Sequence, residues 1–169
     1  MYYYLSIGSN IDPETNIARC IETLLTHFNI AYLFPCTYTA PEKIDSDHVF
    51  LNTLLIIESD QEEVELKRLF CQIEEALGRD RSDSRRSYKD RTCDIDILHS
   101  SRHCSPAYFE QCHESYLQQV LSRTSAKAEV SIYGLKFSDR PAAIYFQGGA
   151  GDKAVIQYKA NTLQNRVEA

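Results

Sequence analysis

The chain has 169 residues, with 18 basic and 24 acidic side chains and a formal net charge of −6. Hydrophobic residues make up 43% of it and charged residues 25%, ordinary values for a globular protein, which excludes a wholly disordered chain. The acidic balance argues against a broad nucleic-acid-binding surface, because binding to phosphates depends on an excess of basic side chains.

The first 98 residues predict a strand, a helix, two strands, a helix and a strand, in that order. Asp12 is the predicted N-cap of the first helix, with Pro13 as its first residue. Pro35 interrupts the second strand. A capping box at 59–62 starts the second helix, and Gly78 stands where a glycine would end it. The predicted bounds are 2–7, 12–29, 30–39, 49–58, 59–78 and 91–98.

This order of elements predicts an α+β fold, a ferredoxin-like βαββαβ sheet with both helices on one face. A C-terminal extension of helix and short strands follows over 99–160. In the extension we expect a helix over 106–122 and strands over 129–133 and 142–146. We therefore expect a single domain over 1–160, with its ferredoxin-like core at 1–98, and a disordered tail over 161–169.

The N-terminus shows no secretory signal pattern, and the longest aliphatic run, 54–57, is too short to cross a membrane. The six cysteines include no CxxC pair. Together these features predict reduced thiols, a cytoplasmic location and no membrane partner.

The segment RTCDIDIL at 91–98 carries the strongest chemical signal in the chain. Because side chains alternate along a strand, Asp94 and Asp96 point together to one face. The residues predicted to face the helix-covered core are Cys93, Ile95 and Ile97. Two neighbouring carboxylates repel each other unless a cation neutralises them, and Mg²⁺ carried by substrate phosphates meets that need.

A basic loop at 79–90 directly precedes this strand. Its guanidinium groups can share the negative charge of a phosphoryl group during transfer, so the loop and the two carboxylates together predict phosphoryl-transfer chemistry. A chance DxD spacing on a solvated strand face, beside an ordinary charged loop, is the plain alternative.

On the preceding predicted strand, Phe50 and Asn52 share a face. A flat aromatic ring beside a carboxamide suits a planar heterocycle, because the ring can stack on it and the amide can hydrogen-bond to it. Plain core packing is the alternative for Phe50.

The chain resembles a known family in the pieces YLSIGSNI, YTAP, FLN, IEEALGRDR and RTCDIDIL. They occur in the order and spacing of the 6-hydroxymethyl-7,8-dihydropterin pyrophosphokinases of folate biosynthesis, and the resemblance covers residues 3–98. The family fold is ferredoxin-like, in agreement with the predicted order of elements. The resemblance implies transfer of pyrophosphate from ATP to the pterin hydroxymethyl group, by in-line attack on the β-phosphorus, with release of AMP.

The resemblance also implies a role for residues in each part of the site. Asp94 and Asp96 would bind two Mg²⁺ ions that bridge the ATP phosphates. Arg79 and Arg91 would be the catalytic cations closest to the reacting phosphate. The implied ATP-binding residues are Glu74, Arg81, Tyr88, Arg91, Ile97 and His113. The implied pterin-binding residues are Ala40, Pro41, Phe50, Asn52 and Tyr116.

Several positions depart from the family pattern. The run Tyr88-Lys89-Asp90-Arg91 replaces a Trp-Gly-Pro-Arg run, which removes the proline that stiffens the backbone before the arginine. Cys71 takes the place of a glutamine, and Cys112-His113 takes the place of a Pro-His pair without the arginine that follows it. A relative that binds nucleotide or pterin without efficient turnover is therefore an open alternative.

Two further classes are open from the sequence. Ferredoxin-like sheets with exposed aromatic residues include RNA-binding proteins, although the acidic balance argues against that class here. A zinc site is the other class, with an irregular spacing of its ligands. Its ligands would come from His99, His103, Cys104, Cys112 and His113. We expect ATP and a pterin as small-molecule partners, no nucleic-acid partner, and a monomer or weak dimer.

Overall fold

The computed structural model describes residues 1–41, 47–80, 82, 90–122, 124–148 and 152–158. The predicted tail at 161–169 lies outside these residues. In chain order the elements are β1 (Tyr2–Ser9), α1 (Pro13–His27), β2 (Ile30–Leu33), β3 (Cys36–Thr39), β4 (Phe50–Glu58), α2 (Glu63–Ala76), β5 (Asp94–Ser101), a 3₁₀-helix (Pro106–Gln111), α3 (Leu117–Leu121), β6 (Lys127–Ala128), β7 (Val130–Ile132), β8 (Leu135–Phe137), β9 (Ala142–Phe146) and β10 (Ala154–Tyr158).

The chain has an α+β fold built on one large antiparallel sheet. Its main path runs in the order β10-β9-β2-β4-β1-β5, and β3 joins it by pairing with β4 and β6. Pro35 separates β2 from β3, as predicted, because proline cannot donate a backbone hydrogen bond to a neighbouring strand. β1 lies between β4 and β5 and pairs antiparallel with both, so its residues lie at the centre of the N-terminal part of the sheet.

Both long helices pack on the same face of the sheet. Their apolar residues recur at helical spacing, so each helix buries one stripe against the alternate residues of the strands. The helix residues at the centre of this core are Ile17, Ile21 and Leu24 of α1 and Leu66, Phe70 and Ile73 of α2. The strand residues that meet them include Leu5, Ile7, Leu55, Ile57 and Ile95.

The opposite face of the sheet carries a second buried cluster, so it is less open than the sequence predicts. Tyr4 and Leu54 on this face are covered by Phe109 of the 3₁₀-helix and Leu117 of α3. The Tyr4 hydroxyl donates to the carbonyl of His103 at 3.0 Å and accepts from the N–H of Ser105 at 2.8 Å, which ties the covering segment to β1. The C-terminal segment therefore closes one end of this face.

The predicted helix over 106–122 is wrong, because two short helices replace it. Cys112 ends the 3₁₀-helix in an extended conformation (φ −81°, ψ 149°), and the chain becomes helical again only at Leu117. The predicted strands near 130 and 142 are confirmed as β7 and β9. β7 and β8 form a hairpin turned by Tyr133 (φ 49°) and Gly134 (φ 75°), as the favoured two-residue hairpin turn requires.

Smaller differences concern where elements begin. Asp12 precedes α1 as predicted, but it lies in the left-handed region (φ 39°) and its side chain makes no capping hydrogen bond. The capping box of α2 uses Glu62 and Glu65 instead of residues 59–62. Gly78 follows α2 with φ 95°, as expected for a glycine that ends a helix.

All six cysteines are free thiols, as predicted. Among the described residues, no helix combines the length and apolar character that crossing a membrane requires.

Candidate active site

The site is built on a row of residues that lie opposite one another across the sheet. Gly8 of β1 faces Asp94 on one side and Asn52 on the other, and Asn52 in turn faces Thr37 of β3. Directly opposed residues of antiparallel strands point to the same face, so this register puts an acidic residue and an amide on one surface. Asp96 follows two residues after Asp94 and therefore shares that face.

Asp94 is the centre of a cluster of charged side chains. Arg79 Nη1 donates to one oxygen of its carboxylate and Arg91 Nη1 donates to the other. The side chains of the two arginines are 10% and 11% exposed, so both ion pairs are largely shielded from water. The predicted catalytic arginines and the predicted metal ligand are thus brought together, and each carboxylate oxygen keeps a lone pair for a further partner.

Glu74 of α2 holds this cluster in place. Its carboxylate is fully buried, accepts from Arg79 Nη1 at 2.8 Å and accepts from the backbone N–H of Ile95 at 2.7 Å. Glu74 therefore fixes both the arginine and the start of β5. A direct contact between Glu74 and ATP would require this side chain to leave these partners.

Asp96 is exposed on the sheet surface, next to the shielded cluster. Its pKa is raised to about 6, because the surrounding protein removes part of its water and because Asp94 and Glu74 add negative charge nearby. Arg79 and Arg91 act in the opposite direction. A carboxylate that is costly to ionise and open to solvent is one that a divalent cation would stabilise.

Phe50 and Asn52 share one face of β4, as predicted, and lie beside this acidic cluster. The amide of Asn52 donates to Thr39 Oγ1 at 2.6 Å, and both side chains are almost completely buried. The guanidinium carbon of Arg91 lies 5.7 Å from the centre of the Phe50 ring, so the arginine touches the carboxylate cluster and this aromatic residue alike.

Gly8 makes room for that arrangement. A Cβ at this position would lie 2.7 Å from Asn52 Oδ1 and 3.6 Å from a carbon of the Phe50 ring. A glycine is therefore required here by close approach. The sequence alone gives no sign of this contact, which arises from the register of the opposing strands.

Tyr116 reaches the same face from the segment before α3. Its hydroxyl donates to Ser6 Oγ at 2.8 Å, and Ser6 lies opposite Asp96. Burial raises its pKa well above the ordinary tyrosine value, and the negative charges of Asp96 and Asp94 add to this shift. Tyr116 thus remains a neutral hydrogen-bonding ring beside the carboxylates.

The other predicted site residues are placed as follows. His113 is exposed in the stretch between the 3₁₀-helix and α3, and Ala40 and Pro41 follow the end of β3. Ile97 packs against the core on the helix side of the sheet. Arg81 and Tyr88 lie outside the described residues.

Sequence reasoning misses two residues that shape this region. Asn10 exchanges backbone and side-chain hydrogen bonds with Arg91, which lies 81 positions later in the chain. Lys127 Nζ donates to Thr37 Oγ1 at 2.8 Å and to the carbonyl of Val120 at 2.9 Å, which links β3 beside Asn52 to the end of α3. No local sequence pattern marks Lys127, because its partners Thr37 and Val120 lie 90 and 7 positions earlier in the chain.

The proposed zinc ligands do not form a metal centre. No group of three or more histidine, cysteine or acidic side chains suited to a metal ion occurs in the described ranges. His99 stacks instead on Tyr108, with ring centres 4.6 Å apart, and Cys112 Sγ lies 3.5 Å from the carbonyl of Tyr108.

Comparison with known proteins gives a family match over most of the chain. Residues 4–126 match the family model described as 7,8-dihydro-6-hydroxymethylpterin-pyrophosphokinase. Two curated proteins from two strains of Porphyromonas gingivalis, both named 2-amino-4-hydroxy-6-hydroxymethyldihydropteridine pyrophosphokinase, are 33% identical to this chain over 97 residues. The aligned stretch covers 56% of this chain and 66% of each relative, so it spans slightly less than two thirds of their length.

Proposed function

Because the chain belongs to the 7,8-dihydro-6-hydroxymethylpterin-pyrophosphokinase family, we propose that it transfers pyrophosphate from ATP to the hydroxymethyl group of 6-hydroxymethyl-7,8-dihydropterin and releases AMP. The observation that carries this proposal is the convergence of Arg79 and Arg91 on Asp94, directly beside the buried pair Phe50 and Asn52. An anion-handling cluster and an aromatic–amide pair suited to a planar ring thus lie on one face of the sheet.

The donor set fits magnesium held together with a nucleotide. Mg²⁺ is usually bound by one or two carboxylates and by substrate phosphates, and Asp94 and Asp96 supply two carboxylates on one face. The raised pKa of Asp96 is consistent with a carboxylate that a cation would stabilise. Bound in this way, magnesium would offset the negative charge of the phosphates and favour attack at phosphorus.

The arginines would change partners when the nucleotide binds. In the free protein, Arg79 and Arg91 neutralise Asp94. If Asp94 and Asp96 held a cation, the guanidinium groups would be free to donate to phosphate oxygens, for which their planar geometry is suited. Glu74 keeps Arg79 oriented during this exchange, because it holds the same guanidinium nitrogen.

The pterin would lie against Phe50 with its polar edge toward Asn52. Tyr116 and the backbone at Ala40 and Pro41 would complete this subsite. Burial excludes water from Phe50 and Asn52, so hydrogen bonds to the heterocycle would be made in a weakly competing medium. The hydroxymethyl oxygen would then be aligned with the β-phosphorus, and positioning would supply much of the rate enhancement.

The remaining assignments follow the same proposal. The order β5-β1-β4-β2, with both helices on one face, supports a ferredoxin-like core if β2 and β3 count as one interrupted strand. The pairing of β9 with β2 supports a single domain that includes the C-terminal part. We propose ATP and a pterin as the substrates of a cytoplasmic monomer or weak dimer.

The direct test is an assay of AMP formation with ATP, Mg²⁺ and 6-hydroxymethyl-7,8-dihydropterin. We expect AMP to appear only when all three are present, in equal amount to the diphosphorylated pterin. Folded protein that forms no AMP would refute the proposed activity. Calorimetric binding of ATP or pterin by such protein would favour the alternative, a family member that binds nucleotide or pterin without efficient turnover. ADP as the nucleotide product would indicate ordinary phosphoryl transfer instead.

A further inference from the structure

Three hydrogen-bonded side chains connect the segment before β4 with the segment before β5. The Nδ1 atom of His48 lies 2.7 Å from Asp90 Oδ2, and the other oxygen of Asp90 accepts from Asn10 Nδ2, also at 2.7 Å. An ionised carboxylate can only accept, so the His48 ring donates from Nδ1 in this arrangement. The connected residues come from three separate parts of the chain.

Asn10 passes this connection to the backbone of Arg91. Its Oδ1 accepts from the N–H of Arg91 at 2.7 Å, and its own N–H donates to the carbonyl of Arg91 at 3.1 Å. Since Asp90 can only accept, it forces the NH₂ group of the Asn10 amide toward itself and so directs Oδ1 toward Arg91. Asn10 is buried, whereas Asp90 and His48 lie nearer the surface.

The backbone position of Arg91 matters because its side chain contacts two other side chains at the same time. The guanidinium group donates to Asp94, and it lies 5.7 Å from the centre of the Phe50 ring. His48 is two residues from Phe50, and Asp90 is adjacent to Arg91. The three side chains thus link the segment that leads into β4 with the segment that carries Arg91.

We propose that Asp90 and His48 are positioning residues for Arg91, acting through the amide of Asn10; this role rests on the proposed function. The family pattern has proline at position 90, where the ring itself restricts the backbone. In this chain, two side-chain hydrogen bonds to Asp90 provide the restriction instead.

The experiment compares Asp90→Ala, His48→Ala, the double variant and Asp139→Ala, a control that removes an exposed carboxylate paired with Arg140. Two quantities are measured: kcat and KM for AMP formation, and the hydrogen-exchange rate of the Arg91 amide by NMR. The second measurement does not need turnover, so it remains informative if the proposed function is refuted.

We expect Asp90→Ala to speed exchange of the Arg91 amide about fivefold to tenfold, the effect of losing a hydrogen bond of ordinary strength. We expect its kcat to fall about tenfold with KM values changed less than twofold, because the lost contact orients a group that acts in the transition state. His48→Ala should cause a smaller change in the same direction. The double variant should match Asp90→Ala, because His48 acts through Asp90.

Several results would overturn the proposal. Unchanged exchange at Arg91 in folded Asp90→Ala would show that Asp90 does not hold this backbone. Faster exchange with unchanged kcat would refute a role in catalysis. Additive losses in the double variant would show that His48 acts by another route, and equal losses in Asp139→Ala would show a general effect of charge. If the wild type forms no AMP, the exchange measurement alone decides whether Asp90 holds Arg91.

Discussion

Gly8→Ala tests whether the geometry at the centre of the sheet controls pterin binding. The new Cβ would lie 2.7 Å from Asn52 Oδ1, whereas nine in ten such contacts are 3.4 Å or longer. The amide must therefore retreat by about 0.7 Å, although it is buried and bonded to Thr39. A displacement of this size in a positioning group can lower the rate as much as about 100-fold.

We expect Gly8→Ala to lower kcat/KM for the pterin between about 10-fold and 100-fold. Overpacking of this kind also lowers the free energy of unfolding, by about 1–3 kcal/mol. Steady-state kinetics with varied pterin and urea denaturation measure the two effects. The matched control is Asn52→Ala, alone and combined with Gly8→Ala.

If the clash acts through the amide, Gly8→Ala should have little further effect on kcat/KM once Asn52 is truncated. Equal losses in both backgrounds would show that Gly8 acts by some other contact. Unchanged pterin kinetics in the single variant would refute the placement of the pterin against Asn52.

Three further predictions concern the charged cluster and Tyr116. Asp96→Asn should weaken magnesium-dependent nucleotide binding yet raise the melting temperature of the free protein at pH 7.5. The folded-state pKa of Asp96, about 6, exceeds the usual 3.8, so ionisation of Asp96 disfavours folding as the pH rises through this window. The gain in melting temperature should therefore vanish near pH 4. An equal gain at both pH values would contradict this explanation. Glu74→Gln should lower the free energy of unfolding by about 1–3 kcal/mol in urea titrations, because Arg79 loses a buried charged partner, and it should lower kcat; an unchanged kcat would show that Arg79 needs no support from below. Tyr116→Phe should change the KM for pterin less than about threefold, since only the hydrogen bond to Ser6 is lost, whereas Tyr116→Ala should raise it more than about tenfold; equal KM values in the two variants would refute a stacking role for the ring.

The N-terminal part of the fold is predictable because the hydrophobic pattern of each element indicates which of its residues are buried. Ile17, Ile21 and Leu24 repeat at helical spacing, and β4 is apolar on both faces, so local pattern and tertiary packing agree. The strand order then follows from the few ways in which such elements can pack. The C-terminal part lacks this agreement, because β6 and β8 are only two and three residues long, and β6 and β9 pair with the distant strands β3 and β2.

The same distinction applies to the site. Alternation along a strand predicts that Asp94 and Asp96 share one face of β5, and that Phe50 and Asn52 share one face of β4. Neither prediction requires the register between the two strands. The burial of Glu74 and the contact of Asn10 with Arg91 depend on that register, which no local pattern encodes. The predicted strand starts at Arg91, whereas β5 begins at Asp94. Contact with Asn10 explains the difference, because Asn10 occupies the backbone N–H and carbonyl of Arg91.

The most direct measurement of the central claim is calorimetric binding of a non-hydrolysable ATP analogue, with and without Mg²⁺, to the wild type and to the double variant Asp94→Asn, Asp96→Asn. The wild type should bind at least about tenfold more tightly with magnesium, and the folded double variant should bind weakly in both conditions. A double variant that keeps both the wild-type affinity and its dependence on magnesium would contradict the assignment of these carboxylates.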